Sequence, residues 1–273
     1  MGKEDILDKY LGIAPFSDDE EIYYYVSSEI FVNGIIRPNE LALWAGHVDY
    51  MEDQMEFKKG MKVLKAVDID QSYVKTTESN KNRFPYQLSF SKNKDSVPLW
   101  KIYGGGFSSV MLILDAKKLW EFLNKTAKYS IITECIYDGT KEADWAIEFL
   151  NDKRNLDERR LPKNKKYVDF FEVFPHIFKD SHYMYEQEVR LFYELQDRDS
   201  NSEHYKYKLI DGVLKKFKEM HFDKDVLKAL MVGPCVDKVY EVNRDSLYAI
   251  LRANGFNHIR KDEILKSSII VLR

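Results

Sequence analysis

An α+β fold, one domain with a mixed or antiparallel central sheet flanked by helices, is predicted by three observations. Short β-branched and aromatic runs recur along the chain. Stretches with helical apolar faces separate them, and the two kinds of segment interleave without the regular rhythm of a parallel sheet. The length of 273 residues suits one large domain. With 44% hydrophobic and 32% charged residues, the chain can bury a core and keep a solvated surface. The 18 Tyr, 16 Phe and 4 Trp exclude a disordered chain. The expected layout is a single domain over 1–273, with 1–21 as an N-terminal extension and 151–166 as a basic surface connection.

The elements follow in order. Ile22 to Val26 reads as a strand, and Ser27 or Ser28 as the cap of a short helix stopped at Asn33-Gly34. Arg37-Pro38-Asn39 is turn chemistry before an extended run, Leu41 to Ala45. Lys75 to Arg83, rich in Ser, Thr and Asn, reads as a loop. Tyr86 to Phe90 alternates with period two, so Gln87, Ser89 and Ser91 share one face. Val97 to Tyr103 predicts a helix closed by Gly104-Gly105-Gly106, and Val110 to Leu114 a buried strand. Asp115 is placed to cap a helix through Asn124. Ile131 to Tyr137 is a further strand, with a helix from Lys141 to Leu150 after it. Tyr167 to Phe178 is an aromatic-rich helix. Val189 to Leu195, Tyr205 to Ile210 and Leu227 to Gly233 are strands. A helix capped by Asn243 or Asp245 runs to Arg252, and Ser268 to Leu272 is the last strand.

Composition narrows the function. Lys plus Arg number 42 against 45 Asp plus Glu, a formal net charge of −3, which argues against a dedicated nucleic-acid binder. The one basic stretch, residues 153–166, could meet phosphates, or serve as a solvated connection between helices. The longest clean apolar run, Val110 to Leu114, is too short to span a membrane, and residues 1–5 are not a secretory signal. A cytoplasmic protein without a membrane partner is therefore expected. Cys135 and Cys235 make neither a disulfide framework nor a zinc site.

Four constellations carry chemistry. Tyr185-Glu186-Gln187-Glu188-Val189-Arg190 opens a strand, so Glu186, Glu188 and Arg190 project together while Val189 and Leu191 pack inward. Two adjacent carboxylates beside a guanidinium suit acid/base work; the plainer alternative is an edge row exposed to water. Ser89-Phe90-Ser91 offers two hydroxyls on one face. Tyr23-Tyr24-Tyr25 puts phenol rings on both faces of the first strand. His47, Asp49, Glu52, Asp53 and Glu56 match no metal-ligand spacing and read as a solvated helix start or loop, so no metal is expected.

In that order these pieces resemble the bacterial domain of unknown function 2971 family. The resemblance runs through Tyr23 to Tyr25, Asp53 with Glu56, and Ser89 to Ser91. It continues with Leu99-Trp100 and Tyr103, then Tyr185, Glu186, Glu188 and Arg190, and ends at Val232-Gly233-Pro234. It departs at Glu52 and Gln54, where the family has Asn and Pro, and at Val189, where the family often has Trp. More distantly the order resembles ADP-ribosyltransferases, with tyrosines where those enzymes carry Arg or His on the first strand. That second resemblance implies NAD as co-substrate. Glu188 would stabilise the developing oxocarbenium ion, and Glu186 would orient or deprotonate the acceptor. Ser89 or Ser91 would fix the ribose or nicotinamide, and Tyr24 or Tyr25 would stack on the ring. Arg190 would orient a carboxylate or reach a phosphate. Trp100, Tyr103 and Tyr185 complete the nucleotide-binding set.

The expected function is thus an NAD-using enzyme of the ADP-ribosyltransferase or NAD glycohydrolase type, compatible with a bacterial defence or toxin effector. Its small-molecule partner is a nucleotide; the macromolecular acceptor stays open. Two alternatives stand beside it: a nuclease using Glu186 and Glu188 with Asp49 or Asp53 around Mg²⁺, and a non-catalytic module that binds a partner.

Overall fold

The computed structural model describes residues 10, 16–47, 54–79, 86–105, 109–126, 130–161, 163, 165–193, 206–210 and 212–270. Along the chain, β1 (Glu21–Ser27) leads into a helical turn, Ser28–Ile30, that continues as a π turn, Phe31–Ile35. Next come β2 (Ile36–Arg37), β3 (Glu40–His47), helices α1 (Gln54–Leu64) and α2 (Gln71–Ser79), and β4 (Tyr86–Ser91). Helix α3 (Val97–Ile102), β5 (Ser109–Asp115), α4 (Ala116–Thr126), β6 (Ser130–Glu134) and β7 (Ile136–Tyr137) follow. Then come α5 (Lys141–Asn151), α6 (Lys165–Ile177), β8 (Phe178–Lys179), β9 (Glu188–Tyr193) and β10 (Lys206–Ile210). The described chain closes with β11 (Val213–Asp223), β12 (Leu227–Val232), α7 (Asp237–Ala253) and β13 (Ile264–Lys266). The class is α+β, with mostly antiparallel pairing.

The chain forms two compact units. The first gathers the described residues within 1–15, 46–87 and 129–217, the second those within 16–45, 88–128 and 218–273. In the second unit β1 is the central strand. It runs antiparallel to β5 in unbroken register from Glu21 opposite Asp115 to Ser27 opposite Ser109. On its other side Tyr23 lies opposite Ser91 of β4. β12 adds antiparallel to β5, and β13 adds parallel to β12. One face of this sheet buries Tyr23, Tyr25, Leu99, Trp100, Met111 and Ile113 together.

In the first unit β6 pairs antiparallel with β9, placing Thr133 opposite Arg190, and β7 pairs parallel with β8. The core is built on α6, whose Phe170, Phe171, Phe174 and Ile177 are buried with Met61 and Leu64 of α1. Helix α1 comes very close to α6. A Cβ at Gly60 would lie 2.6 Å from the Pro175 Cα, so only glycine permits the approach. That approach sets down the preceding turn of α1, which carries Glu56 and Lys59.

Local chemistry explains most elements. Ser27 Oγ accepts from the Ile30 amide and Asp115 from the Lys118 amide, as their cap positions predict. Five expectations are corrected. The predicted loop over Lys75 to Arg83 is helical through Ser79. Thr76, Thr77 and Ser79 donate to the carbonyls of Ser72, Tyr73 and Lys75 and so return their hydroxyls to the helix backbone. Residues 80–85 lie outside the described residues. The first short helix does not stop at Asn33-Gly34 but runs to Ile35. Gly34 is required there because a Cβ would lie 2.3 Å from the Trp44 ring. The strand predicted over Ile131 to Tyr137 breaks at Cys135 into β6 and β7. Helix α7 starts at Asp237, so Asn243 and Asp245 are interior, and Asp245 pairs with Lys261 at 2.8 Å. The last strand is Ile264–Lys266. Ser267 and Ser268 instead bind the Asp95 carboxylate through their hydroxyls, and residues 271–273 lie outside the described residues. Among the described residues no helix is long and apolar enough to cross a membrane.

Gly60 supplies a test. Alanine favours a helix interior by about 1 kcal/mol over glycine, but here its Cβ meets the Pro175 backbone. Gly60→Ala is expected to lower the melting temperature. Gly46→Ala, at a position with nothing within 4 Å of an added Cβ, is expected to leave it unchanged or higher in the same calorimetric scan.

Candidate functional site

The first unit encloses a cluster of five charged side chains. Lys179, on the two-residue strand β8, is its hub. Its Nζ lies 2.7 Å from Glu186, 2.7 Å from Glu188 and 3.0 Å from Glu56. Arg190 is the second cation: one Nη2 reaches Glu188 at 2.8 Å and Glu56 at 2.6 Å, and Nη1 donates to the His176 carbonyl. Glu186 and Glu188 are each only 4% exposed, Arg190 and Lys179 3%. Charges so far from water persist only when paired and hydrogen-bonded, and these are.

The secondary structure explains the convergence. Glu188 and Arg190 alternate on β9 and share a face, as predicted. Glu186 is not on the strand: it ends the short 3₁₀ turn Ser181–Glu186, and Gln187 links the two in a left-handed conformation at φ 43°. That joint brings Glu186 back onto the same ammonium as Glu188. The expectation of a water-exposed edge row is overturned, since Glu188 to Phe192 are all buried. So is the expectation of a solvated Glu56: it lies in the first turn of α1 with its side chain 12% exposed.

Around the charges sit groups that sequence reasoning did not assign. The Tyr137 hydroxyl accepts from the Glu188 amide at 2.8 Å, and Cys135 Sγ is 3.7 Å from the Glu188 carboxylate. The Tyr183 ring covers Lys179, its centroid 5.0 Å from Nζ. Outside the cluster, Lys59 ties Asp180 and Asp138 together at 2.7 and 2.9 Å. Lys179 has one sequence signal: a lone cation directly after Ile177-Phe178, at the end of an aromatic-rich helix, needs a buried partner.

Electrostatics separates the two glutamates. Burial pushes the Glu188 carboxyl up, but Arg190 and Lys179 outweigh it and hold it at about 2. For Glu186 burial prevails over its single ammonium, and its pKa is raised. Burial also raises the Cys135 thiol, keeping it protonated. The His176 ring, buried and near Arg190, is driven down to about 3 and stays neutral.

Residues 99–191 match the DUF2971 family, described as a protein of unknown function. The DUF2971 match takes in Leu99, Trp100, Tyr103, Lys179 and the whole of Tyr185 to Arg190. Tyr23 to Tyr25, Glu56, Ser89 to Ser91 and Val232 to Pro234 lie outside it, so the match is narrower than the resemblance expected from Tyr23 to Pro234. No curated protein and no solved structure matches the chain.

The remaining residues of the expected site lie in the second unit. Tyr25 and Trp100 meet edge to face with centroids 4.8 Å apart. The Tyr25 hydroxyl donates to the Asn93 carbonyl and accepts from the Ser96 amide. Trp100 is fully buried and donates to Asp95 at 2.9 Å. Ser91 is buried and accepts from the Asn93 amide, whereas Ser89 is half-buried. Tyr24 is half-buried beside Phe90, and Tyr103 is exposed at the end of α3. The strand bearing the tyrosines and the strand bearing the serines are thus neighbours, but Tyr25 and Trp100 are committed to packing. In the first unit Tyr185 is 37% exposed. Among the described residues no group of three or more His, Cys, Asp or Glu is arranged to hold a metal. Asp49, Glu52 and Asp53 lie outside the described residues.

The opposed shifts give two expected outcomes. Glu188 is depressed from 4.5 to about 2, so its stabilising contribution is full above pH 4.5 and is lost as the pH falls toward 2. Glu188→Gln is expected to cost about 3–5 kcal/mol at neutral pH and to flatten that acid limb, measured by urea unfolding across the pH series. Glu186 is raised, so its ionised form opposes folding above its folded pKa. Glu186→Gln is expected to be neutral or stabilising at pH 7 in the same assay.

Proposed function

We propose that the chain is an NAD-using enzyme of the ADP-ribosyltransferase or NAD glycohydrolase type. The observation that carries this reading is the pair Glu186 and Glu188, both 2.7 Å from one ammonium yet shifted in opposite directions. Carboxyl groups whose proton affinities are driven apart suit divided acid/base and electrostatic roles. In this reaction the C1′–N bond to nicotinamide breaks with its electron pair leaving on the ring nitrogen, and the ribose gains oxocarbenium character. Glu188, ionised down to about 2, stabilises that charge. An acceptor hydroxyl or water then bonds to C1′ and gives its proton to Glu186, the carboxylate with the higher affinity. Arg190 supports the reading further. Its buried Nε–H has no acceptor among the described residues, and a ribose or phosphate oxygen would suit that donor.

Because the pair is enclosed, the ribose reaches it by displacement of the Tyr183 ring of the Ser181–Glu186 turn, which lies over Lys179. Tyr185, on that turn and 37% exposed, supplies the stacking ring. A second reading, a non-catalytic partner-binding module, is favoured by the same enclosure: each of the five charges already has an ion-pair partner within the cluster.

Isothermal titration with NAD and an assay of nicotinamide release separate the two. The enzyme reading expects binding and turnover by the unmodified chain. In Glu188→Gln that remains folded by circular dichroism, it expects a rate reduced about 10²-fold or more with NAD affinity little changed. Neither binding nor release by the unmodified chain removes it.

A further inference from the structure

Four exposed side chains of the first unit sit together on the β10–β11 hairpin: Tyr207 (61% exposed), Leu209 (69%), Val213 (52%) and Leu214 (62%). The strands pair Leu209 with Leu214 and Ile210 with Val213, and Gly212, just before Val213, has φ 78°. Cross-strand partners share a face, so Leu209 and Leu214 lie on one face and Val213 on the other. One step from the tip, lysines take over on both faces: Lys208 opposite Lys215, and Lys216 opposite Tyr207. Between Lys206 and Lys218 the sequence holds five lysines and one acid, Asp211. Lys208 also lies over the Phe217 ring, with its Nζ 5.8 Å from the centroid, at the base of the hairpin.

The exposed apolar groups are therefore sorted along the hairpin axis, aliphatic at the tip and cationic behind it. A flat protein partner covers one face of a ribbon. A bilayer surrounds a tip on every side. We infer that the β10–β11 hairpin is a peripheral membrane contact, with its aliphatic tip in the interfacial layer and its lysines on anionic headgroups. Two residues per strand at about 3.3 Å each reach roughly 7 Å, within the roughly 5–10 Å over which interfacial elements bury their apolar side. Lysine stems are long enough to lie along the acyl boundary while their ammonium groups stay with phosphate and carboxylate. A second copy added along β10 would set lysine against lysine, which edge-strand lysines discourage. Nucleic-acid phosphates would leave the aliphatic tip without a role. The contact is a surface anchor, not a span, and it is independent of the carboxylate cluster.

The test is co-sedimentation of the full chain with phosphatidylcholine vesicles, with and without phosphatidylserine, at low and high salt. Expected is sedimentation with the anionic vesicles only, weakened by salt. Leu209→Asp combined with Leu214→Asp is expected to reduce it about tenfold or more, with an unchanged melting temperature because both positions are exposed. Asp211→Asn is expected to strengthen binding. The inference is overturned if the unmodified chain fails to sediment with anionic vesicles or sediments equally with neutral ones. It is equally overturned if the double variant binds as well as the unmodified chain, or if duplex DNA is bound through the lysines while vesicles are not.

Discussion

The first unit is organised around one ammonium ion held out of water. Lys179 could not be buried alone, because desolvation of an unpaired cation costs several kcal/mol. Three carboxylates surround it, and three carboxylates around one ammonium would repel in turn. Arg190 balances half of that excess by binding two of them, Glu56 and Glu188. Glu186 bears the remainder: buried and paired with Lys179 beside two other carboxylates, it has a raised proton affinity. The division of character between the two glutamates thus follows from counting charges in an enclosed space. It requires no substrate to be present.

Arg190 has a second task in the fold. The last carbonyls of a helix have no partner within it, and their end carries partial negative charge. Helix α6 ends at Ile177, and the His176 carbonyl there receives the Arg190 guanidinium. One side chain therefore closes α6, steadies Glu188 on β9 and holds Glu56 on α1. Close packing at Gly60 makes the last of these possible, since it fixes the turn of α1 from which Glu56 projects. Substitution of Arg190 disturbs helix, strand and charge balance together, so lost activity in such a variant does not by itself mark a catalytic role.

Much of this was legible in the sequence. β1, β4, β5 and β12 announce themselves by β-branched and aromatic runs, and Asp115 and Ser27 by capping chemistry. The alternation Glu188–Arg190 gave the shared face. Other features were hidden for physical reasons. Thr76, Thr77 and Ser79 suggest a loop by composition, yet bond back to a helix that tertiary packing sustains. β11 is masked by lysines at adjacent positions, which blur its period-two pattern. Glu56 reads as solvated until α6 is placed beside it. Lys179 has no pattern of its own, because its partners come from three separate segments. A left-handed Gln187, which brings Glu186 around, is not a residue that composition singles out for that conformation.

Glu56 and Arg190 stand 134 residues apart along the chain. Closing so long a loop costs entropy before the ion pair returns anything, so this contact is expected to form late in folding. Contacts that form after the barrier act on the rate of unfolding and hardly on the rate of refolding. The cluster is then a clasp in the kinetic sense. It would thereby lengthen the lifetime of the folded first unit, and an acid environment, by discharging Glu188, would shorten that lifetime first.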